Sequence, residues 1–307
     1  MNKTFKTICR MSQDRLKKYL VEQLKETHQT IISDDGYIYA QGDFPVLLVA
    51  HMDTVHDKLP ETFCYNPQKQ SISSPQGIGG DDRCGIYMIL EVIRRYNCSV
   101  LFCEDEEIGT VGAEKFVKTP LAKTLEFNYI IEFDRKGKND AVFYDCDNVD
   151  FEEFITKDFY KTSWGSFSDI SVVAPALGCA AVNLSCGYYN AHTKSEYVVM
   201  PEMENSINEA CKILKRTTKE DKFEYIEAYH PSWHSKGSSY LFDDDYFDYE
   251  PYNNPLAYYV LEYVDERGDS QWWDTTASSE MCAIGKFCMR YPKIPYANII
   301  DIYSEVM

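Results

Sequence analysis

The sequence predicts an α/β protein built on a covered sheet, and three observations carry that expectation. Val46-Leu47-Leu48-Val49-Ala50 is an unbroken apolar run that ends abruptly in the polar residues His51 and Asp53, the pattern of a strand buried on both faces. The same design recurs at Ser99–Cys103, Tyr129–Asp134 and Ala180–Ser185, each apolar and each followed by polar or acidic residues. Helical patterns lie between and around these runs. In such sheets the chemistry sits just beyond the carboxyl ends of the strands, which is where the polar residues fall.

In chain order, residues 11–27 read as an amphipathic helix with Ser12 as N-cap and Leu16, Leu20, Val21 and Leu24 as its apolar stripe. Residues 30–40 alternate around Asp35-Gly36, a hairpin signal. After the strand at 46–50, residues 57–76 are polar and turn-rich. Gly77-Ile78-Gly79-Gly80-Asp81-Asp82-Arg83-Cys84-Gly85 then leads into an apolar run, Ile86–Ile93, long enough for a buried helix. A glycine-rich turn before a helix can hold phosphate. Here the lysine of a P-loop is missing and two aspartates would repel an anion, so a cation is the better occupant. The run Glu104-Asp105-Glu106-Glu107 sets four carboxylates side by side, costly unless something positive sits among them; a solvated acidic loop is the plain alternative. Residues 202–216 form a terminal helix.

Composition narrows the function. A formal charge of −18 argues against nucleic acid or an anionic membrane surface as partner. No apolar run approaches the ~20 residues of a membrane span, and Met1–Lys6 lacks the apolar core of a signal peptide. Eleven cysteines without CxxC pairs read as reduced thiols of a cytoplasmic protein.

The strand-end side chains are His51, Asp81, Glu107, Asp134 and His192, with Asp53 and Glu106 beside two of them. Two imidazoles and three carboxylates suit Zn²⁺ or a similar divalent ion, such as cobalt or manganese. Five ligands are too many for one tetrahedral ion and suffice for two if one carboxylate bridges. Their charge nearly balances two dications, and the remainder favours a bound hydroxide. Two ions about 3.5–4 Å apart acidify a bridging water and polarise a carbonyl. A general base is then needed, and Glu106, adjacent to Glu107 but pointing differently, is the natural candidate.

These segments, His51-Met52-Asp53-Thr54-Val55, Gly80-Asp81-Asp82-Arg83-Cys84-Gly85, Glu106-Glu107-Ile108-Gly109, Glu132-Phe133-Asp134 and Ala191-His192-Thr193, resemble the di-zinc exopeptidase superfamily. That group includes peptidase T, bacterial leucyl aminopeptidases, tetrahedral aminopeptidases and N-acyl amino acid deacylases. The resemblance covers roughly residues 30–215 and implies a three-layer α/β/α sandwich on a mixed, mostly parallel sheet. It implies one metal on His51, Asp81 and Asp134 and a second on Asp81, Glu107 and His192. Asp81 would bridge, Asp53 would support His51, and Glu106 would be the base. Asp82 is the alternative bridge, although the spacing to Arg83 and Gly85 favours Asp81.

The chain departs from family members that carry an inserted domain. Only 57 residues separate Asp134 from His192, and 27 separate Asp53 from Asp81, too few for either known insertion. No lid domain is expected, which leaves lid-borne substrate contacts and the family's usual dimer without support. A free α-amine could be held by Asp105 or by Asp169, which reads equally well as a helix N-cap. Tyr188 or Tyr189 could donate to an oxyanion, or simply pack. The expected activity is hydrolysis of short peptides by an aminopeptidase. The alternatives are an N-acyl amino acid deacylase and a non-catalytic metal-binding interaction protein.

About ninety residues follow the catalytic domain expected at 1–219. They hold half of the 24 tyrosines and the acidic run Phe242–Glu250. Residues 220–254 read as an acidic, Tyr-rich linker and 255–307 as a small β-α-β module. Its expected elements are a strand at 257–264, a turn at Gly268, a helix over 274–291 capped by Asp274 or Thr275, and a strand at 297–303. Cys282 and Cys288 fall on opposite sides of that helix, and Pro231 separates His230 from His234, so neither pair suits a metal. The module could bind a partner, cover the active site or mediate homo-oligomer formation.

Overall fold

The computed structural model describes residues 3–165, 167–228, 257–265, 267–277, 287, 290–291 and 299–305. The chain divides into two compact units, Met1–Tyr229 and His230–Met307.

The first unit opens with α1 (Lys3–Cys9), which sequence reading missed because only Phe5, Ile8 and Cys9 point inward along its seven residues. The predicted second helix is shorter than 11–27: α2 spans Gln13–Leu24 and buries Leu16, Leu20 and Leu24, one residue per turn. Each such leucine contributes roughly 2 kcal/mol by leaving water. Ser12 has the extended backbone of an N-cap but its hydroxyl makes no capping bond. The hairpin forms as expected, β1 (Thr30–Asp34) antiparallel to β2 (Tyr37–Gln41), with Gly36 turning at φ +93°. The central strand β3 (Phe44–His51) is fully buried from Val46 to Ala50. Its alternate residues serve two different cores: Leu48 and Ala50 one, Leu47 and Val49 the other.

The polar stretch 57–76 holds two short strands, β4 (Cys64–Asn66) and β5 (Ser71–Ser73), too short to show periodicity. Gly79, at φ +63°, then starts α3 (Gly80–Val92), and the Asp81–Asp82 peptide within it is cis. A Cβ on Gly85 would sit 1.9 Å from the carbonyl oxygen of Phe133, so only glycine lets this helix lie so close to the sheet. The chain continues through β6 (Cys98–Cys103), α4 (Val111–Val117), β7 (Tyr129–Arg135), β8 (Asp140–Val142), α5 (Val149–Thr156) and β9 (Lys161–Ser163). It closes with α6 (Asp169–Leu177), β10 (Ala181–Ser185), β11 (Tyr188–Tyr189), β12 (Tyr197–Val199) and α7 (Met200–Arg216).

The large sheet runs β1-β2-β6-β3-β7-β10-β8-β9. Its central strands β6, β3, β7 and β10 are parallel, and both edges carry antiparallel pairings. Core residues of α1, α2, α3, α5 and α7 pack on one face, and those of α4 and α6 on the other. This is the expected three-layer α/β class. A second, small sheet, β11-β12-β5-β4, was not anticipated. The interval from Asp53 to Asp81 holds only β4 and β5, and that from Asp134 to His192 holds elements of the two sheets and α5 and α6. Among the described residues no helix is long and apolar enough to cross a membrane.

Residues 220–228, expected to begin the linker, belong instead to the first unit. Backbone bonds tie Phe223 to Asn128 and Ala180, and Tyr225 to Gly178. The rest of that stretch, with His230, His234 and the acidic run 242–250, lies outside the described residues, as do Cys282 and Cys288. In the second unit β13 (Ala257–Val264) pairs antiparallel with both β14 (Ser270–Ala277) and β15 (Ile299–Glu305). Asp274–Ala277 are therefore strand, not the start of a helix. Aromatic and β-branched residues (Trp272, Trp273, Thr275, Thr276) favour the pleated form there. Phe287 is helical and packs with Leu261 and Tyr263.

Candidate metal centre

Strand register brings the candidate residues to one level. His51 pairs with Cys103 across β3 and β6, so the acidic run begins where His51 ends. Val49 pairs with Glu132 across β3 and β7, which sets Asp134 beside His51, two residues further along both strands.

Two triads result. His51, Asp81 and Asp134 offer ligand atoms within 4.8 Å of one another, and so do Asp81, Glu107 and His192. Asp81 belongs to both. Its Oδ1 lies 3.0 Å from His51 Nε2, and its Oδ2 lies 3.2 Å from His192 Nε2. Asp134 Oδ1 is 3.5 Å from His51 Nε2, and Glu107 Oε2 is 3.1 Å from His192 Nε2. Asp82 faces elsewhere: its carboxylate accepts the backbone N–H groups of His51 and Gly85.

The acidic run separates into distinct roles. Glu104 pairs with Lys17 and accepts Gly36 N–H, and Asp105 accepts from Gln13, so both are taken up by local structure. Asp53 holds the other two. One of its oxygens accepts Glu106 N–H and lies 3.1 Å from His51 Nδ1, while the other accepts Glu107 N–H. A single carboxylate thus orients the first imidazole and the backbone of the Glu106–Glu107 pair.

The electrostatics are those of a site lacking positive charge. Burial opposes charging His51, yet Asp134, Asp53 and Asp81 outweigh it and hold the imidazole well above its ordinary value. Hydrogen bonds to Asp81 and Glu107 push His192 up to about 11. Burial works against ionised Asp81, but His192 and His51 keep it far below the usual carboxylate range. Burial and the charge of Asp81 push Asp134 up to about 6. Burial raises Glu106 to about 9; His51 opposes that rise while Asp134, Asp169 and Glu107 add to it. Protons on the imidazoles occupy the positions a cation would take. Among the described residues no lysine or arginine lies within ion-pairing distance of Asp81, Glu107 or Asp134. Glu107 Oε1 is buried without a partner. Two imidazole nitrogens and three carboxylates with a spare buried oxygen fit divalent ions.

The low-specificity candidates land elsewhere. Asp169 is fully buried on the first turn of α6, not at a rim, and Ser168 is the N-cap in a capping box with Ser171. Tyr188 is buried, and its hydroxyl donates to the backbone oxygen and carboxylate of Asp134. Tyr189 donates to Glu202. Neither tyrosine offers a free hydroxyl to an oxyanion. Residues that sequence reading missed support the site from outside. Ser168 Oγ donates to Asp134 Oδ2 at 2.9 Å, and Asn183 Oδ1 accepts Asp134 N–H at 2.8 Å. Glu132 and Asp169 are buried and poorly hydrogen-bonded, with only the Ser168 hydroxyl near the first and the Cys103 thiol near the second. Burial pushes Asp169 up to about 7, and raises Glu132 in the same direction.

Solved structures share this three-layer α/β/α fold. No protein-family model matches the sequence, and no curated protein sequence matches it. Aminopeptidase PepT from Bacillus cereus superimposes with a TM-score of 0.56 at 14% identity, covering 69% of this chain and 96% of that one. A tripeptidase from Staphylococcus aureus gives 0.55 at 13% identity over 69% and 96%. Aminopeptidase APDkam598 from the archaeon Desulfurococcus kamchatkensis gives 0.56 at 14% over 71% and 95%. The fold is that of these peptidases.

Proposed function

We propose that the first unit is a metal-dependent exopeptidase and, within that class, an aminopeptidase acting on short peptides. The observation that carries this reading is the pair of triads sharing Asp81. His51, Asp81 and Asp134 would hold one divalent ion and Asp81, Glu107 and His192 another, with zinc the first choice. When bound, such a pair polarises a scissile carbonyl and acidifies water.

The remaining work falls to the chain's own residues. Asp53 accepts a hydrogen bond from His51 Nδ1–H, which fixes the tautomer and, once the Nε2 proton is displaced, would leave the Nε2 lone pair for the ion. Glu106 is the base that takes the proton of the attacking water and returns it to the leaving amine. Its carboxyl is held at about 9 by burial among acids. Dications beside it would pull that value down, the direction a base needs. The aminopeptidase assignment draws support from the named activities of the fold's neighbours, two aminopeptidases and a tripeptidase.

The test joins metal content to turnover. About two zinc or similar ions per chain, with chelator-sensitive release of amino acids from unblocked peptides, is the expected result. Cleavage of N-acyl amino acids alone would move the protein to the deacylases. Glu106→Gln should keep its metals and lose about 10²–10⁴ in rate; full activity in that variant would overturn the base assignment.

A further inference from the structure

Glu196 follows the loop that carries His192 and is fully buried, yet its carboxylate reaches back 115 residues in sequence to the start of α3. Oε1 accepts Asp81 N–H at 2.9 Å, and Oε2 accepts Gly79 N–H at 2.9 Å. His56 Nε2, from the loop that continues past Asp53, lies 2.9 Å from the same Oε2. One side chain therefore ties together the segments that follow His51, precede Asp81 and follow His192.

The chemistry of those contacts requires a carboxylate. Each oxygen receives an N–H, and a carboxylate is the only group of this size with acceptors at both ends and no donor. A glutamine amide would turn its NH₂ against one of the backbone N–H groups. Space is equally constrained: a Cβ on Gly80 would lie 3.1 Å from Glu196 Oε1, and one on Gly77 would lie 2.3 Å from the His56 ring.

The His192 loop needs such an anchor. Asn190 and His192 both sit at positive φ, +56° and +63°, and the His192 side chain is 56% exposed. Within the loop Thr193 bonds Asn190 O and Ser195, and Glu196 N–H returns to Thr193 O. Nothing in those internal bonds fixes the loop against α3; the Glu196 carboxylate does.

We propose that Glu196 is a positioning residue that sets the separation of Asp81 from His192 and thereby the affinity of the Asp81–Glu107–His192 triad, the outer of the two because His192 is the exposed ligand. This rests on the metal-centre reading above. The experiment titrates metal-depleted protein with zinc by calorimetry, comparing wild type, Glu196→Gln and His56→Phe, with circular dichroism confirming the fold. In Glu196→Gln the tighter zinc site is expected to stay within about threefold of wild type while the weaker one loses about 10–100-fold. His56→Phe leaves both backbone bonds to Glu196 in place and should weaken the outer site by about threefold or more, a fraction of the usual cost of losing a supporting partner. If Glu196→Gln does not fold, that variant decides. Two zinc sites of unchanged affinity in a folded Glu196→Gln, or in His56→Phe where the first does not fold, would overturn the proposal alone. So would equal weakening of both sites, the signature of a merely structural role. Wild type that takes up no zinc would overturn the metal-centre reading and this proposal with it.

Discussion

His51 and His192 face opposite oxygens of the same carboxylate from contrasting surroundings. The His51 side chain is 1% exposed at the end of a central strand, and its other nitrogen is paired with Asp53. Its partner Asp134 is held in turn by Ser168, Asn183 and Tyr188. His192 sits in a left-handed loop with more than half of its side chain in solvent. Sheet register thus sets His51 and Asp134 of the inner triad, whereas the outer triad takes His192 from a loop. Two sites with similar ligand chemistry should therefore differ in affinity, in exchange rate and in tolerance to substitution.

The largest effect that would break this contrast comes from the imidazoles. His51→Ala should abolish activity and lose the tight zinc site, while His192→Ala should retain one ion per chain, measured by elemental analysis after dialysis. Equal metal loss in both variants would mean the halves are not distinct.

Protonation gives the next effect. In metal-free protein, hydrogen bonds to Asp81 and Glu107 push the His192 imidazole up to about 11, and His51 is raised in the same direction. The stability this gives the metal-free fold is fully present below the ordinary histidine value of about 6.5 and is lost as pH rises through the raised values. Ions must displace those protons, so zinc affinity should increase with pH. Calorimetry in buffers of differing ionisation enthalpy near pH 7 should count at least one proton released per imidazole, with a further one as Glu106 falls from its raised value. A count near zero would show that the imidazoles are already neutral.

The smallest effect sharpens the inner half alone. Ser168→Ala removes both a hydrogen bond to Asp134 and the N-cap of α6 and should cost about 1–2 kcal/mol of stability, read as a shift in melting temperature, with the outer site unchanged.

The central strands, and the polar residues that gather at their ends, were legible because buried parallel strands are apolar throughout and end in chemistry. Val46–Ala50 followed by His51 is such a case. The spacing to Arg83 and Gly85 favoured Asp81 over Asp82, and the two backbone N–H groups that occupy the Asp82 carboxylate point the same way. Ser168, Asn183 and Glu196 escaped notice because each acts across a long sequence distance and leaves no spacing pattern. The strands of the small sheet are two or three residues long and show no period. In the second unit, Asp274 and Thr275 resembled a helix cap, but pairing with β13 determined their state.

Glu132 and Asp169 are buried carboxyls with only a hydroxyl and a thiol beside them, far short of what two ionised acids require. A buried acid of this kind works against the fold. A directed selection for heat resistance run without zinc should therefore enrich neutral replacements at these two positions, by Gln, Asn or Leu. Run with zinc, the same selection would weigh that relief against a weaker field around the ions. Sequencing the survivors of the two regimes would show whether these acids are tolerated by the fold or required by the metals.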